Sequence, residues 1–510
     1  MLGRIACFRT PVKYDTLKAL AESEFNAETQ RRGEDKEQED SPPLRLSHVL
    51  SLPKDASARD LDFDLRDLVV RGLLHHDTKE SRFDLHPIVR RYAYDRLAAP
   101  DRAAAHTRLS DYFAAVPKPD KMTHLEDLLP VIELYYHTVR AGQFDEAYRI
   151  FFGRLRDPLH FQFGAYQLCI DLLRALFPDG EDPSAGSGQA VLPRLRDESA
   201  QAWMLNELAN AYSLSGQPRR AMPLFEQHNA IFEKAGNKSN LAVGLGNVAQ
   251  VQMPIGAPRA AEANLRRSIA LCREIKDEFW EAVDHRELGR LMAYSGAYAD
   301  SEMELARALK MLEKQKEVQG QGITWTYCTL RELLLLRSSI SSEFQVSSSA
   351  LDSARRALEL ADETARGRIP VERDYVRAHW LLGAAHRVAG QTDKAERHLH
   401  EALERCRRIN CVEAEADILI DLARLRIVTG QPDEAWRLAE EALVITERSG
   451  YALQGADAHL ELAKLALARG DKTTAKEHAE KAKELSTCDG PPDYTYKAAY
   501  DEACALLAKL

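Results

Sequence analysis

The chain is predicted to be all-α: a right-handed α-α superhelix of about eight helical hairpins, built on repeats of about 40 residues and preceded by a small mixed domain. Three observations carry this. Gly216, Gly256, Gly296, Gly390, Gly430 and Gly470 fall in two runs of three, 40 residues apart inside each run. Five residues after each comes a small residue (Ala221, Ala261, Ser301, Ala395, Ala435, Ala475), and eight before it an aliphatic one (Leu208, Val248, Leu288, Leu382, Leu422, Leu462). Seven before it, Ala209, Gly289, Gly383 and Ala463 let two helices approach closely. A fixed period of this kind marks a solenoid, whose hairpins bury their apolar faces only on their neighbours.

Residues 1–98 read as the mixed domain, interrupted at about 21–58 by a strongly charged, apolar-poor insertion. The segment 61–97 reads as helix, strand (Leu73 to Asp77), strand (Arg82 to Leu85) and helix (from Pro87), with 4-RIACFRTPVKYDTLKALA supplying the other half. Helix, β-wing and helix make a winged-helix pattern. Its residues Asp67-Leu68-Val69-Val70-Arg71-Gly72-Leu73-Leu74 and Phe83-Asp84-Leu85-His86-Pro87-Ile88-Val89-Arg90-Arg91-Tyr92-Ala93 resemble the winged helix that follows the nucleotide-binding module in STAND-class (NB-ARC) NTPases. In that class a Met-His-Asp tripeptide at the strand-to-helix junction senses the β-phosphate of ADP. The resemblance implies that role for His86, toward a nucleotide held in trans, although Pro87 stands where the family has its acid. The family's phosphate loop, GxxxxGK[ST], is missing from all 510 residues, so no independent ATPase is expected. The resemblance thus implies the sensor-side portion of such a protein, with the nucleotide-binding module missing, truncated or encoded separately.

Residues 99–177 read as a helical connector with a degenerate repeat, in which Gly142 and Ala147 keep the turn spacing, and 178–195 as a Gly/Ser/Pro linker. The array proper spans 196–487. In 218-PRRAMPLFEQ, 258-PRAAEANLRR and 432-PDEAWRLAEE a proline opens the second helix, where its missing N–H costs nothing. The stretch 337-RSSISSEFQVSSSA lengthens one hairpin turn and accounts for the longer gap between Gly296 and Gly390. The segments 205-LNELANAYSLSGQPRRAMPLF and 381-LLGAAHRVAGQTDKAERHLHEAL resemble the tetratricopeptide repeat. Their period exceeds the usual roughly 34 residues, which is similar to the longer-helix repeats of bacterial signalling ATPase sensors and kinesin light chains. Residues 488–510 suit a capping helix, with Tyr496, Tyr500, Cys504 and Leu507 on one stripe.

Composition narrows the function. With 69 basic and 79 acidic side chains the net charge is −10, which disfavours nucleic acid as a partner. Eight scattered cysteines without a CxxC pair read as reduced packing thiols in a cytoplasmic protein. No apolar run approaches the roughly 18 residues of a membrane span, and 1-MLGRIACFRTPVKYD does not read as a signal peptide. HExxH, GxSxG and paired CxxC motifs are missing, so no enzyme, metal or cofactor is expected.

The binding expectation falls on the first helix of each hairpin, which lines the concave face in tetratricopeptide arrays. Thirteen, ten, six and three residues before the turn glycines stand Trp203, Asn206, Asn210, Arg286, Arg290, Arg377, Trp380, Arg387, Arg424 and Lys464, with Asp417 and Asp457 the only acids picked out at those offsets. A basic, asparagine-lined groove suits an extended acidic protein or peptide, held by charge-assisted bonds and amide contacts to its backbone. The expected function is a non-catalytic interaction scaffold and sensor of a STAND-type signalling protein. The alternative is a DNA-binding transcriptional regulator that reads with the winged helix and senses with the repeats.

Overall fold

The structure, a computed structural model, describes residues 2–9, 11–17, 56–117, 122–178, 191–338, 348–367 and 369–510. Most of the charged insertion, the centre of the linker (179–190) and the lengthened turn (339–347) lie outside the described residues. The last residues assigned to the insertion already belong to a helix that starts at Ala56. The chain divides into two compact units, Met1–Leu155 and Arg156–Leu510.

In the first unit α1 (Leu2–Ile5), β1 (Val12–Lys13), α2 (Ala56–Val70), β2 (Leu74–Asp77), β3 (Arg82–Leu85) and α3 (Pro87–Arg96) share one core. The strands form an antiparallel sheet in the order β1-β3-β2, with Val12 opposite Phe83 and Leu74 opposite Leu85. The alternation of β2 leaves His75 exposed and stacks His76 on Phe83. Phe8, Leu17, Leu61, Leu74 and Leu85 are buried together, so sequence on both sides of the insertion contributes to a single core. The helices α4 (Ala99–Ala114), α5 (Leu129–Arg140) and α6 (Phe144–Ile150) complete the unit.

The second unit opens with a short helical stretch (Pro158–Gln162) and α7 (Tyr166–Arg174). Seven antiparallel hairpins follow among the described residues: α8/α9 (Glu198–Leu214, Pro218–Lys234), α10/α11 (Lys238–Gln252, Pro258–Ile275), α12/α13 (Glu278–Tyr294, Tyr298–Lys314), α14/α15 (Val318–Ser338, Ser348–Gly367), α16/α17 (Glu372–Val388, Thr392–Arg408), α18/α19 (Val412–Val428, Pro432–Ser449) and α20/α21 (Ala452–Ala468, Lys472–Thr487). The six turn glycines all have positive φ, from 70° at Gly390 to 83° at Gly296. Gln217 N–H reaches back to Tyr212 O at 2.8 Å, which satisfies a carbonyl that the helix end would otherwise leave open. Four first or second helices start on an acid or amide cap: Asp197, Asn237, Asp277 and Asp471 each accept from the backbone N–H three residues on. Inside a hairpin, a Cβ on Gly383 would lie 2.7 Å from Leu399 Cγ, and one on Gly289 2.7 Å from Leu305 Cγ. These are the close helix approaches that the small residues allow.

The final helix, α22 (Lys497–Leu507), differs from the expected stripe. Tyr496 is buried, but the buried helix residues are Ala498, Ala499, Ala503 and Leu506, whereas Tyr500, Cys504 and Leu507 are only half-buried. The small alanines let α22 pack on α21 and also reach α14 and α20, so two directions of contact fix its rotation.

Candidate functional site

The repeats coil tightly enough to touch one turn later. The Gly216 turn packs on Val412 and Ser449, the Gly256 turn on Ala452, and the Gly296 turn on Lys497. Ala452 N–H donates to Pro254 O at 2.7 Å, and Arg259 N–H to Asp489 Oδ2 at 2.9 Å. The inner face therefore carries a continuous apolar cluster in which Leu291, Leu330, Leu381, Leu453, Leu460 and Tyr496 meet, and an open trough does not run its length.

A cavity of about 390 Å³ remains beside that cluster. Its lining is apolar from Leu330, Leu333, Leu334, Leu381, Ile420 and Leu453, and charged from the residues that follow. Arg387 Nη2 donates to Asp421 at 3.0 Å, and Trp380 Nε1 donates to the other oxygen of that carboxylate at 2.7 Å. Arg424 bonds Glu461 at 2.9 Å and lies 3.2 Å from Asp457. Lys464 bridges Glu461 at 3.1 Å and Glu502 at 2.5 Å. Arg337 joins Asp457 at 2.6 Å, Glu502 at 2.7 Å and Tyr496 OH at 3.0 Å. Burial opposes the charge on Glu461, but Lys464, Arg424 and Arg337 outweigh it and hold the carboxyl well below the usual range. Asp417 goes the other way. Burial, with Glu413, Asp457 and Asp421 nearby, pushes its carboxyl well up against the single amide bond from Gln454 Nε2 at 3.1 Å.

The structure thus brings Trp380, Arg387, Arg424 and Lys464 to one cavity. Arg290 and Arg377 line a neighbouring pocket of about 50 Å³ that shares Tyr294, Trp380, Asp417 and Gln454 with it. Arg290 lies 3.3 Å from Glu287 and over the Tyr327 ring, and buried Arg286 donates to Glu287 at 3.0 Å. The other positions sit elsewhere. Trp203 packs edge-on against His228 and Phe232 inside its hairpin, buried Asn206 accepts from Asn247 Nδ2 at 2.9 Å, and Asn210 is half-buried near neither cavity. In the first unit His86 is an exposed N-cap whose Nδ1 accepts from Ile88 N–H at 3.3 Å.

One expectation is corrected by the charges. A surface read as basic is close to neutral, because Asp421 and Glu461 meet Arg387, Arg424 and Lys464 within salt-bridge distance. Sequence reasoning missed these acids although they share an offset, nine before the turn glycine, with Glu207 and Glu287. An acid there and a base three residues later occupy adjacent positions on one helix face. It also missed Arg337, Tyr294, Gln454, Tyr496 and Glu502, which come from a hairpin without a turn glycine, from untested offsets, or from the C-terminal segment.

The fold is a helical solenoid of stacked two-helix hairpins, and no described helix is long and apolar enough to cross a membrane. No protein-family model and no curated protein matches the chain. Among solved structures it is similar to a STAND protein with a tetratricopeptide repeat sensor from Pyrococcus horikoshii, at 14% identity and a TM-score of 0.41 over 94% of this chain. The chain spans only 61% of that protein's length. It is also similar to aspartyl phosphate phosphatase F from Bacillus subtilis (13% identity, TM-score 0.43, 77% of this chain and 91% of that one). A tetratricopeptide repeat protein from Parabacteroides merdae aligns at 14% identity and a TM-score of 0.32, over 60% of this chain and 100% of that one.

Proposed function

We propose that the chain is a non-catalytic sensor and scaffold whose repeat array takes a protein or peptide ligand at its inner face. The observation that carries this reading is the cavity where Trp380, Arg387, Arg424 and Lys464 converge from three successive hairpins. A ligand there would contact α16, α18 and α20 together and so would favour one packing of the hairpins over others, which is the thermodynamic requirement for a sensor. An acidic ligand would have to displace the carboxylates that already hold these cations, so the site fits one projecting end of a ligand better than an extended acidic strand. The first unit, read as a winged helix with His86 at its strand-to-helix junction, would relay occupancy to a separate nucleotide-binding module of STAND type.

Selection of a random peptide library against the full chain tests the reading, with hydrogen exchange to map whatever is enriched. Protection of α16, α18 and α20 is the expected result. Protection confined to the outer helices α17, α19 and α21, to the first unit, or no enrichment at all would overturn it.

A further inference from the structure

The charge inventory of the cavity leaves one group over. Four cations (Arg337, Arg387, Arg424, Lys464) line it, and each pairs with one or more of Asp421, Asp457, Glu461 and Glu502. Asp417 is the fifth carboxyl and, among the described residues, has no cation of its own within salt-bridge distance. On its far side Arg290, Arg373 and Arg377 line the neighbouring pocket with Glu413, and Arg290 lies 3.3 Å from Glu287 and Arg377 3.9 Å from Asp374. Beside Asp417, Gln454 is 4% exposed and its Oε1 is buried without a hydrogen-bond partner. An unmet acceptor in such a place costs free energy that a bound donor recovers. Two acceptors, one from α18 and one from α20, therefore converge on the cavity wall. The rings of Trp380, Tyr294 and Tyr496 line the same space, together with leucine and isoleucine side chains.

We infer that the cavity is a binding site for a small primary amine with an apolar body, its ammonium held between the Asp417 carboxylate and the Gln454 carbonyl. An ammonium supplies several N–H donors and one positive charge, which the two acceptors and the leftover carboxyl require. It also suits aromatic ring faces. An anionic ligand would leave the lining with an excess negative charge in a buried place, where unpaired charge is costly. The apolar body lies against Leu330, Leu333, Leu334 and Ile420. The free amino end of a peptide has this chemistry, so the inference rests on the inner face being the ligand site and specifies which part of a ligand enters. Burial and nearby acids push the Asp417 carboxyl up when the site is empty, and the ammonium, an opposite charge beside it, favours its ionised form.

The test is calorimetry on the full chain with isoamylamine and phenethylamine, against isoamyl alcohol and isovalerate as neutral and anionic counterparts. The amines bind and the counterparts do not. Any proton released as Asp417 ionises makes the heat depend on the ionisation enthalpy of the buffer. Asp417→Asn keeps the size and one acceptor of the side chain, lowers amine affinity by about tenfold or more, removes any such proton release, and leaves the urea midpoint unchanged or raised. Equal binding of amine and alcohol, or undiminished amine binding by Asp417→Asn, overturns the inference. If selected peptides protect α16, α18 and α20 while neither amine binds, the ammonium site is wrong and the inner-face reading stands. If the amines bind as stated and no peptide is enriched, the site stands and the protein or peptide reading falls.

Discussion

Gly216 and Val412 are in contact across a full turn of the superhelix: a Cβ on Gly216 would lie 2.6 Å from Val412 Cγ1. The same relationship recurs one hairpin later between Gly256 and Ala452, at 2.9 Å. Turn n of the array thus seats on the start of hairpin n+5. A glycine at these turns does two things, since it supplies the positive φ and leaves the space that the next layer occupies.

The two roles can be separated. Gly430 has a φ of 74° with nothing within 4 Å of its Cβ position, whereas Gly216 has a φ of 79° and the Val412 contact. Gly430→Ala is expected to cost only the left-handed strain, about 1 kcal/mol. Gly216→Ala adds overpacking of about 1–3 kcal/mol. Urea unfolding followed by tryptophan fluorescence reads the difference, because Trp203, Trp280, Trp325, Trp380 and Trp436 are the chain's five tryptophans and all lie in the second unit. Equal losses would mean that the layers do not touch.

Much of this was legible because the repeat is regular. The glycine offsets locate the first helix of each hairpin, and they picked out Trp380, Arg387, Arg424 and Lys464, which share the cavity. Offsets say which helix face a residue occupies, but they do not tell how tightly the array coils. Coiling brings Arg337 of α14 to Asp457 of α20, so acids from distant hairpins neutralise cations that look free in sequence. For Trp203 the ring turned into its own hairpin because His228 and Phe232 offer it an aromatic nest.

Helix crossing inside a hairpin gives a second prediction. Alanine in place of a helical glycine normally gains up to about 1 kcal/mol of helix propensity. At Gly383 the new methyl would sit 2.7 Å from Leu399 Cγ and 3.1 Å from the Leu399 backbone N, and backbone cannot move aside cheaply. Overpacking of about 1–3 kcal/mol should win, so Gly383→Ala destabilises. In a Leu399→Ala background the same substitution should cost less, and a double-mutant cycle in urea measures that coupling. A stabilised Gly383→Ala chain would show that the helices have room to separate.

A third prediction concerns acid. Within hairpins α16/α17 and α20/α21, His379 faces His398 at 3.0 Å and His459 faces His478 at 2.8 Å, each Nδ1 to Nδ1. Burial first, and the partner ring second, lowers His379 and His459 to about 4. The unfolded chain, with histidine near its ordinary value of about 6.5, binds protons that the folded chain refuses. Stability is therefore fully present above pH of about 6.5 and falls between there and about 4, by up to about 1.4 kcal/mol per pH unit for each histidine and less where solvent screens it. Leucines 205 and 224, and 419 and 438, fill these positions in hairpins α8/α9 and α18/α19. Replacing His459 and His478 by leucine should accordingly flatten the pH dependence of the urea midpoint below pH of about 6.5, and an unchanged slope would rule out this pair as its source.

Arg337 supports the last prediction. Its side chain is 17% exposed and ties α14 to Asp457 of α20 and to Glu502 of α22, with Tyr496 OH within 3.0 Å. Arg337→Met keeps the length of the stem but strands two carboxylates in a partly buried place. Breaking such a pair from one side costs about 3–5 kcal/mol. The exposed pair Arg355–Asp352, with side chains 51% and 67% exposed, is the control, and Arg355→Met should cost no more than about 1 kcal/mol. The loss at Arg337 should be local before it is global: hydrogen exchange of α22 (Lys497–Leu507) accelerates while α8 to α11 keep their protection. Raising salt should not reproduce the effect, since buried pairs are screened far less than surface ones. Comparable losses for Arg337→Met and Arg355→Met would mean that the superhelix is held closed by its apolar cluster alone.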